Sequence, residues 1–326
     1  MGNETSGIKG AVATVTARVK TVRARAEATL VGEIWDRMLE TEFVDRSVAL
    51  AGKAFVSFFP LIIVVAAFLP DGMRADVFTT LTRRLGVTGA ALDSAKTAFA
   101  SAKEVRRATG VLGLVLTFFY VSSFTTALQR VYLRAWRRPA GGALGPYLRG
   151  AIWFAAVIGY MAILGAARGV LDADALMPLY LLVAVAGSTA LWWFTAWAML
   201  MRQVRMRVLW PAGLITGLAL GIYGLTSTLW MPANVTKNTH QYGIFGVALA
   251  LVSWFSGAAI CIMVGACAGP VLARDPGPVG RFIRRGEDDI LMPGAPPDLP
   301  PPTRPLKLKD AFKPIEDEAG PANPPD

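Results

Sequence analysis

Apolar and polar positions alternate along this chain in long blocks. Six apolar stretches stand out: Val48–Leu69, Thr109–Leu128, Gly150–Ala167, Met177–Met201, Leu209–Trp230 and Tyr242–Val271. Crossing a hydrocarbon core of about 30 Å takes about 20 helical residues, and each stretch is near that length. Apart from Lys53, none of them carries a charge. Backbone in lipid must pair its own polar groups, so each stretch is forced into a helix. The pattern predicts an all-α, polytopic membrane protein, a six-transmembrane-helix bundle occupying residues 48–273.

The flanking segments have their own periodicity. Residues 1–47 read as a cytoplasmic segment with a helix over 8–30 and an amphipathic one over Glu33–Asp45. The second places Ile34, Trp35, Met38, Leu39 and Phe43 on one face, which suits a helix in the membrane interface or one packed beneath the bundle. No short apolar core precedes Val48, so the first span is expected to be an uncleaved anchor. The first external loop, Pro70 to Ala108, carries helical stripes at Val77, Leu81 and Leu85 and at Ala91, Ala95 and Phe99. It is expected to form external helices. Residues 274–326 hold 13 of the 21 prolines, the composition of a disordered, solvated tail.

Charge orients the spans. Of 33 lysines and arginines, 23 fall on one side when the N-terminus is placed inside, and nine on the other. Arg130, Arg134, Arg137, Arg138 and Arg149 crowd one short loop, while the loop holding Asp172 and Asp174 has only Arg168. The positive-inside rule then sets both termini in the cytoplasm. Composition agrees with a membrane setting: 54% hydrophobic, 17% charged and a mean hydropathy of +0.45. The net charge of +10 sits beside the spans, where it meets anionic headgroups rather than nucleic acid.

Several residues inside or beside the spans are candidates for function. Lys53 is the one charge within a span, marking function or snorkelling to the headgroups. Pro60 interrupts the same helix, and Ser57 is placed to bond the carbonyls it disturbs. Four hydroxyls from Ser122 to Thr126 precede Gln129 and Arg130, lining a polar cavity or gluing helices together. Arg130 is expected to face the bundle at the boundary, its planar fork suited to phosphate headgroups. Gly213, Gly217 and Gly221 form a ridge for close helix approach, repeated by Gly265 and Gly269.

Enzyme chemistry finds little to build on. There is no phosphate-cradling glycine loop, HExxH or GxSxG motif, and His240 is the single histidine. No cofactor or metal site is expected. Cys261 and Cys267 are separated by about 9 Å of helical rise, too far for a disulfide.

Four motifs in order resemble the BrkB/YihY family of bacterial inner-membrane proteins. They are Ser57-Phe58-Phe59-Pro60-Leu61; Ala127-Leu128-Gln129-Arg130 with Arg134-Ala135-Trp136; Arg207 with Pro211 and Gly213; and Tyr242-Gly243-Ile244-Phe245-Gly246 with Trp254 and Gly265-Ala266. The resemblance covers about residues 30 to 273. It departs at Lys53, where the family has an aromatic, and at Cys267, where it usually has a glutamate. The resemblance implies a plasma-membrane protein of envelope integrity, with lipids and envelope proteins as partners. It also implies export of lipid-linked material. A non-transporting scaffold is the alternative. The family's older ribonuclease BN label finds no acid, histidine or metal-ligand cluster here to support it.

Overall fold

In the computed structural model the described residues are 29–68, 102–140, 145–170, 176–285 and 289–300. Thr29 Oγ1 accepts from Gly32 N at 3.3 Å and caps α1, Leu30–Glu40. Met38 is buried and Ile34 lies against the core, while Val31 and Trp35 are exposed. At Glu42 the backbone turns left-handed (φ 55°) and redirects the chain into α2, Phe43–Phe68. The amphipathic helix expected over Glu33–Asp45 is thus broken in two at Thr41 and Glu42.

Six further helices follow the same logic. They are α3 (Ala102–Ala135), α4 (Pro146–Val170), α5 (Met177–Met199), α6 (Trp210–Tyr242) and α7 (Ile244–Arg274), with α8 (Pro278–Arg284) after them. Proline begins α5 and α6 (Pro178, Pro211), where its missing N–H costs nothing. Each long helix packs on its neighbour in the chain, and α7 returns to pack on α2. The six therefore form a closed ring.

Among the described residues, four stretches have the length and hydropathy to cross a membrane: Leu148–Ala167, Met177–Met199, Met206–Tyr242 and Phe245–Arg274. Much of their surface is apolar and exposed, including Ile152, Ile158 and Met161 on α4 and Leu179 and Leu182 on α5. Apolar exposure on that scale requires lipid. The first two expected spans are present as the helices α2 and α3.

Two sequence expectations are corrected here. The loop between the fifth and sixth spans is absent: α6 runs on to Tyr242, and Gly243 alone turns the chain into α7. Its φ of 58° with ψ of −135° is open to glycine and strained for other residues. Gly246 then lies so close to the backbone of Asn238 and Thr239 that no side chain fits. The tail, secondly, is ordered well past Asp275. α8 buries Ile283, and residues 289–300 run back across the bundle. Backbone bonds hold this strap: Arg205 N to Ile290 O (3.1 Å), Met292 N to Gln203 O (3.0 Å) and Leu299 N to Arg137 O (2.8 Å). The expected helix over residues 8–30 lies outside the described residues as far as residue 28, and the external segment expected over Pro70–Ala108 as far as residue 101.

Candidate functional site at the arginine-rich end

The end of the ring where α1, α3 and α7 meet is built from the C-terminus of α3. That helix closes with Arg137 N bonded to Arg134 O (3.0 Å) and Arg138 N to Leu133 O (2.7 Å). This is the pattern that usually places glycine at the left-handed position. Here that residue is Arg137, at φ 52°. Its guanidinium reaches Glu40 on α1 at 2.8 Å, an ion pair that offsets the backbone cost of about 1 kcal/mol.

The same device recurs twice. Glu40 is shared by Arg37 (3.2 Å) and Arg137. Glu42 is shared by Arg46 (2.9 Å) and Arg134 (2.8 Å). Asp298, on the strap, is shared by Arg138 and Arg274, each at 2.6 Å. Arg138 has no solvent exposure; its Nε also donates to Gln203 Oε1 (3.0 Å) and its Nη2 to Pro296 O. Burial lowers the pKa of Arg37, with Glu40 opposing and the Arg137 charge adding to the shift.

Inside this charged rim, Thr41 Oγ1 donates to Arg37 O at 2.5 Å, ending α1. Cys267 Sγ lies 3.2 Å from Thr41 Oγ1 and 4.0 Å from Arg37 O. Tyr132, Trp136 and Thr216 pack alongside with no exposure, and their polar atoms have no hydrogen-bond partner among the described residues.

The candidate residues separate into distinct places. Arg130 is exposed rather than facing the bundle, because the inward positions of α3 at this level belong to Leu128, Val131 and Tyr132. Gln129 beside it is buried. Ser57 is buried but bonds Lys53 O (2.6 Å) and Ala54 O (3.2 Å), one turn before the carbonyl that Pro60 leaves unpaired. Lys53 is half-buried on α2, away from the charged rim. The hydroxyls of Ser122 and Thr125 lie where Gly150 of α4 approaches α3, and that of Thr125 donates to Ser122 O of its own helix.

Gly213 and Gly217 oppose the backbone of Trp193 and Thr189 on α5, where an added Cβ would stand 2.6 and 2.9 Å away. Gly221 faces open space. Trp254 sits at the other end of the ring, its carbonyl accepting from Tyr223 OH at 3.0 Å. Arg138, Thr41 and Asp298 were not singled out from sequence. The Arg137-Arg138-Pro139 run was the available sign of a helix end, while Asp298 was hidden among prolines.

Long exposed apolar helices with an arginine-rich, ion-paired end define a multi-pass membrane protein. The chain belongs to the family described as Virulence factor BrkB, whose model matches residues 34–276. The family resemblance in the motifs is thereby confirmed. No curated protein and no solved structure matches the chain.

Proposed function

We propose that this is a bacterial inner-membrane protein of envelope integrity that transports or handles a lipid or amphipathic envelope component. In this reading all six long helices cross the bilayer, and the arginine-rich end, with both termini, is cytoplasmic. The gathering of Arg37, Arg46, Arg134, Arg137, Arg138 and Arg274 at one end supports that orientation.

The observation that carries the function is a groove of about 390 Å³ lined by Phe55, Tyr242, Phe245, Ala248, Leu249 and Val252. Its size falls within the range of about 300–1,000 Å³ common to small-ligand sites. The walls are apolar, which suits an acyl chain rather than an ion or a sugar. Tyr242, Phe245 and Leu249 are exposed, so the groove opens on the outer flank of the ring, toward lipid. At the arginine end the described interior is filled: Leu128, Tyr132, Trp136 and Met263 are fully buried.

The test is leaflet exchange of a fluorescent phospholipid in vesicles carrying the full chain. Wild type is expected to exchange faster than Ala248→Trp, whose indole fills the groove. Equal rates with and without protein would remove transport. A scaffold is the second reading, supported by the filled core and the strap across it. In that case deletion disperses envelope-protein complexes while leaflet composition stays the same.

A further inference from the structure

Beside the three shared carboxylates stands one arginine that shares none. Arg130 lies one helical turn before Arg134 on the same face of α3, exposed, with no hydrogen bond or ion pair among the described residues. Arg46, at the start of α2, faces this pair. Its Nε donates to Thr41 O at 2.8 Å and its Nη2 to Glu42. Arg134 reaches the other oxygen of Glu42. Two guanidiniums therefore share one carboxylate, and the charge of Arg130 is close enough to act on Arg46. The neighbouring acid Asp45 is exposed and forms no ion pair among the described residues.

The pKa of Arg46 is lowered, first by burial and then by Arg134, with Arg130 contributing and Glu42 opposing. Like charges are held together here without a full complement of acids. Their surroundings suggest what completes the set. Arg130 follows the second apolar stretch by two residues, and Arg46 precedes the first by two. Trp35 is exposed on α1, its ring 5.7 Å from that of Phe43 and tilted 56° to it. An exposed tryptophan beside cations at span ends is the signature of the headgroup level.

We infer that Arg46, Arg130 and Arg134, held in place by Glu42, form a site for a phosphate group at the cytoplasmic membrane boundary, filled by an anionic phospholipid headgroup. Glu42 occupies one edge of Arg46 and of Arg134 and aims them, while the fork of Arg130 is left to grip phosphate oxygens in a two-pronged contact. The inference rests on the proposed orientation and on lipid as the partner, and it specifies which headgroups are held and where.

The experiment measures phosphatidylglycerol retained by the purified full chain in detergent, by native mass spectrometry, against phosphatidylcholine supplied equally. Arg130→Gln is expected to lower phosphatidylglycerol retention about fivefold, equivalent to the roughly 1 kcal/mol of one cation at an anionic surface. Arg130→Lys is expected to recover only part of it. Arg202→Gln is the control, because Arg202 is exposed on the loop after α5 and lies over the Trp197 ring at 5.4 Å. Equal losses in the two glutamine variants would overturn the site, leaving only general surface charge. No loss in Arg130→Gln would overturn it as well. Displacement of the lipid by millimolar inorganic phosphate in wild type but not in Arg130→Gln would support the phosphate site and name a soluble source. Leaflet exchange plays no part in this readout, so a failed transport assay leaves the site standing.

Discussion

Asp298 Oδ1 lies 2.6 Å from Nη1 of Arg138, a guanidinium with no solvent exposure, 160 residues away in the chain. The pair fastens residues 289–300 to the end of α3. Its second oxygen holds Arg274 at the end of α7. One carboxylate therefore joins the strap to two helices.

Asp298→Ala is expected to free the strap. The substitution strands a buried guanidinium, a loss of about 3–5 kcal/mol where a pair is fully buried; the partial exposure of Asp298 places this one at the lower end. Limited proteolysis after Arg284 or Arg285 should quicken in the variant. Unchanged cleavage would show that the backbone bonds to Arg205 and Gln203 suffice.

The glycines of α6 are expected to be unequal. Gly213→Ala and Gly217→Ala push a methyl into the backbone of α5, an overpacking cost of about 1–3 kcal/mol each. Gly221→Ala meets nothing within 4 Å and should gain about 0.5–1 kcal/mol from helix propensity. Thermal unfolding in detergent reads the order directly. A destabilised Gly221→Ala would mean that a partner packs there.

Much of the fold was legible because lipid leaves the backbone few choices. The six apolar stretches lie on six helices, four of which have the length and hydropathy of spans among the described residues, and the close-approach role of Gly213 and Gly217 followed from their spacing. The boundaries were harder. The polar run from Asn234 to Gln241 looked like a loop, yet it remains helical because Gly243 turns the chain in a single residue. The functional end was the least legible. Arg130 fell on the outer face of α3 because its register is decided by Leu128 and Tyr132, and the buried arginine proved to be Arg138. Asp298 was concealed because proline content describes a segment's freedom and says nothing of the one side chain that anchors it.

Thr41 and Cys267 form a structural contact across α1 and α7. Cys267→Ser keeps a donor for the Thr41 oxygen and should be nearly neutral. Thr41→Val removes the bonds to Arg37 O and Met38 O and leaves the thiol only its long contact with Arg37 O, a cost of about 1–2 kcal/mol. Reversal of that order in thermal unfolding would mean the sulfur has a role beyond this bond.

Topology is open to direct test. Reporters after Asp326, or between Arg137 and Pro146, should signal cytoplasm, and those near Asp93 or Asp172 should signal the outside. An external signal from the C-terminal reporter would mean that an odd number of helices cross.

The closed ring has a consequence for its own assembly. Every long helix except one pair meets a neighbour synthesised just before it; the seam between α2 and α7 joins residues such as Phe58 and Phe255, 197 apart in the chain. α2 must wait with that flank bare until α7 is made, and contacts so distant in the chain form late and slowly. Truncation anywhere before α7 leaves the flank open, a sticky edge in the membrane for other chains to find.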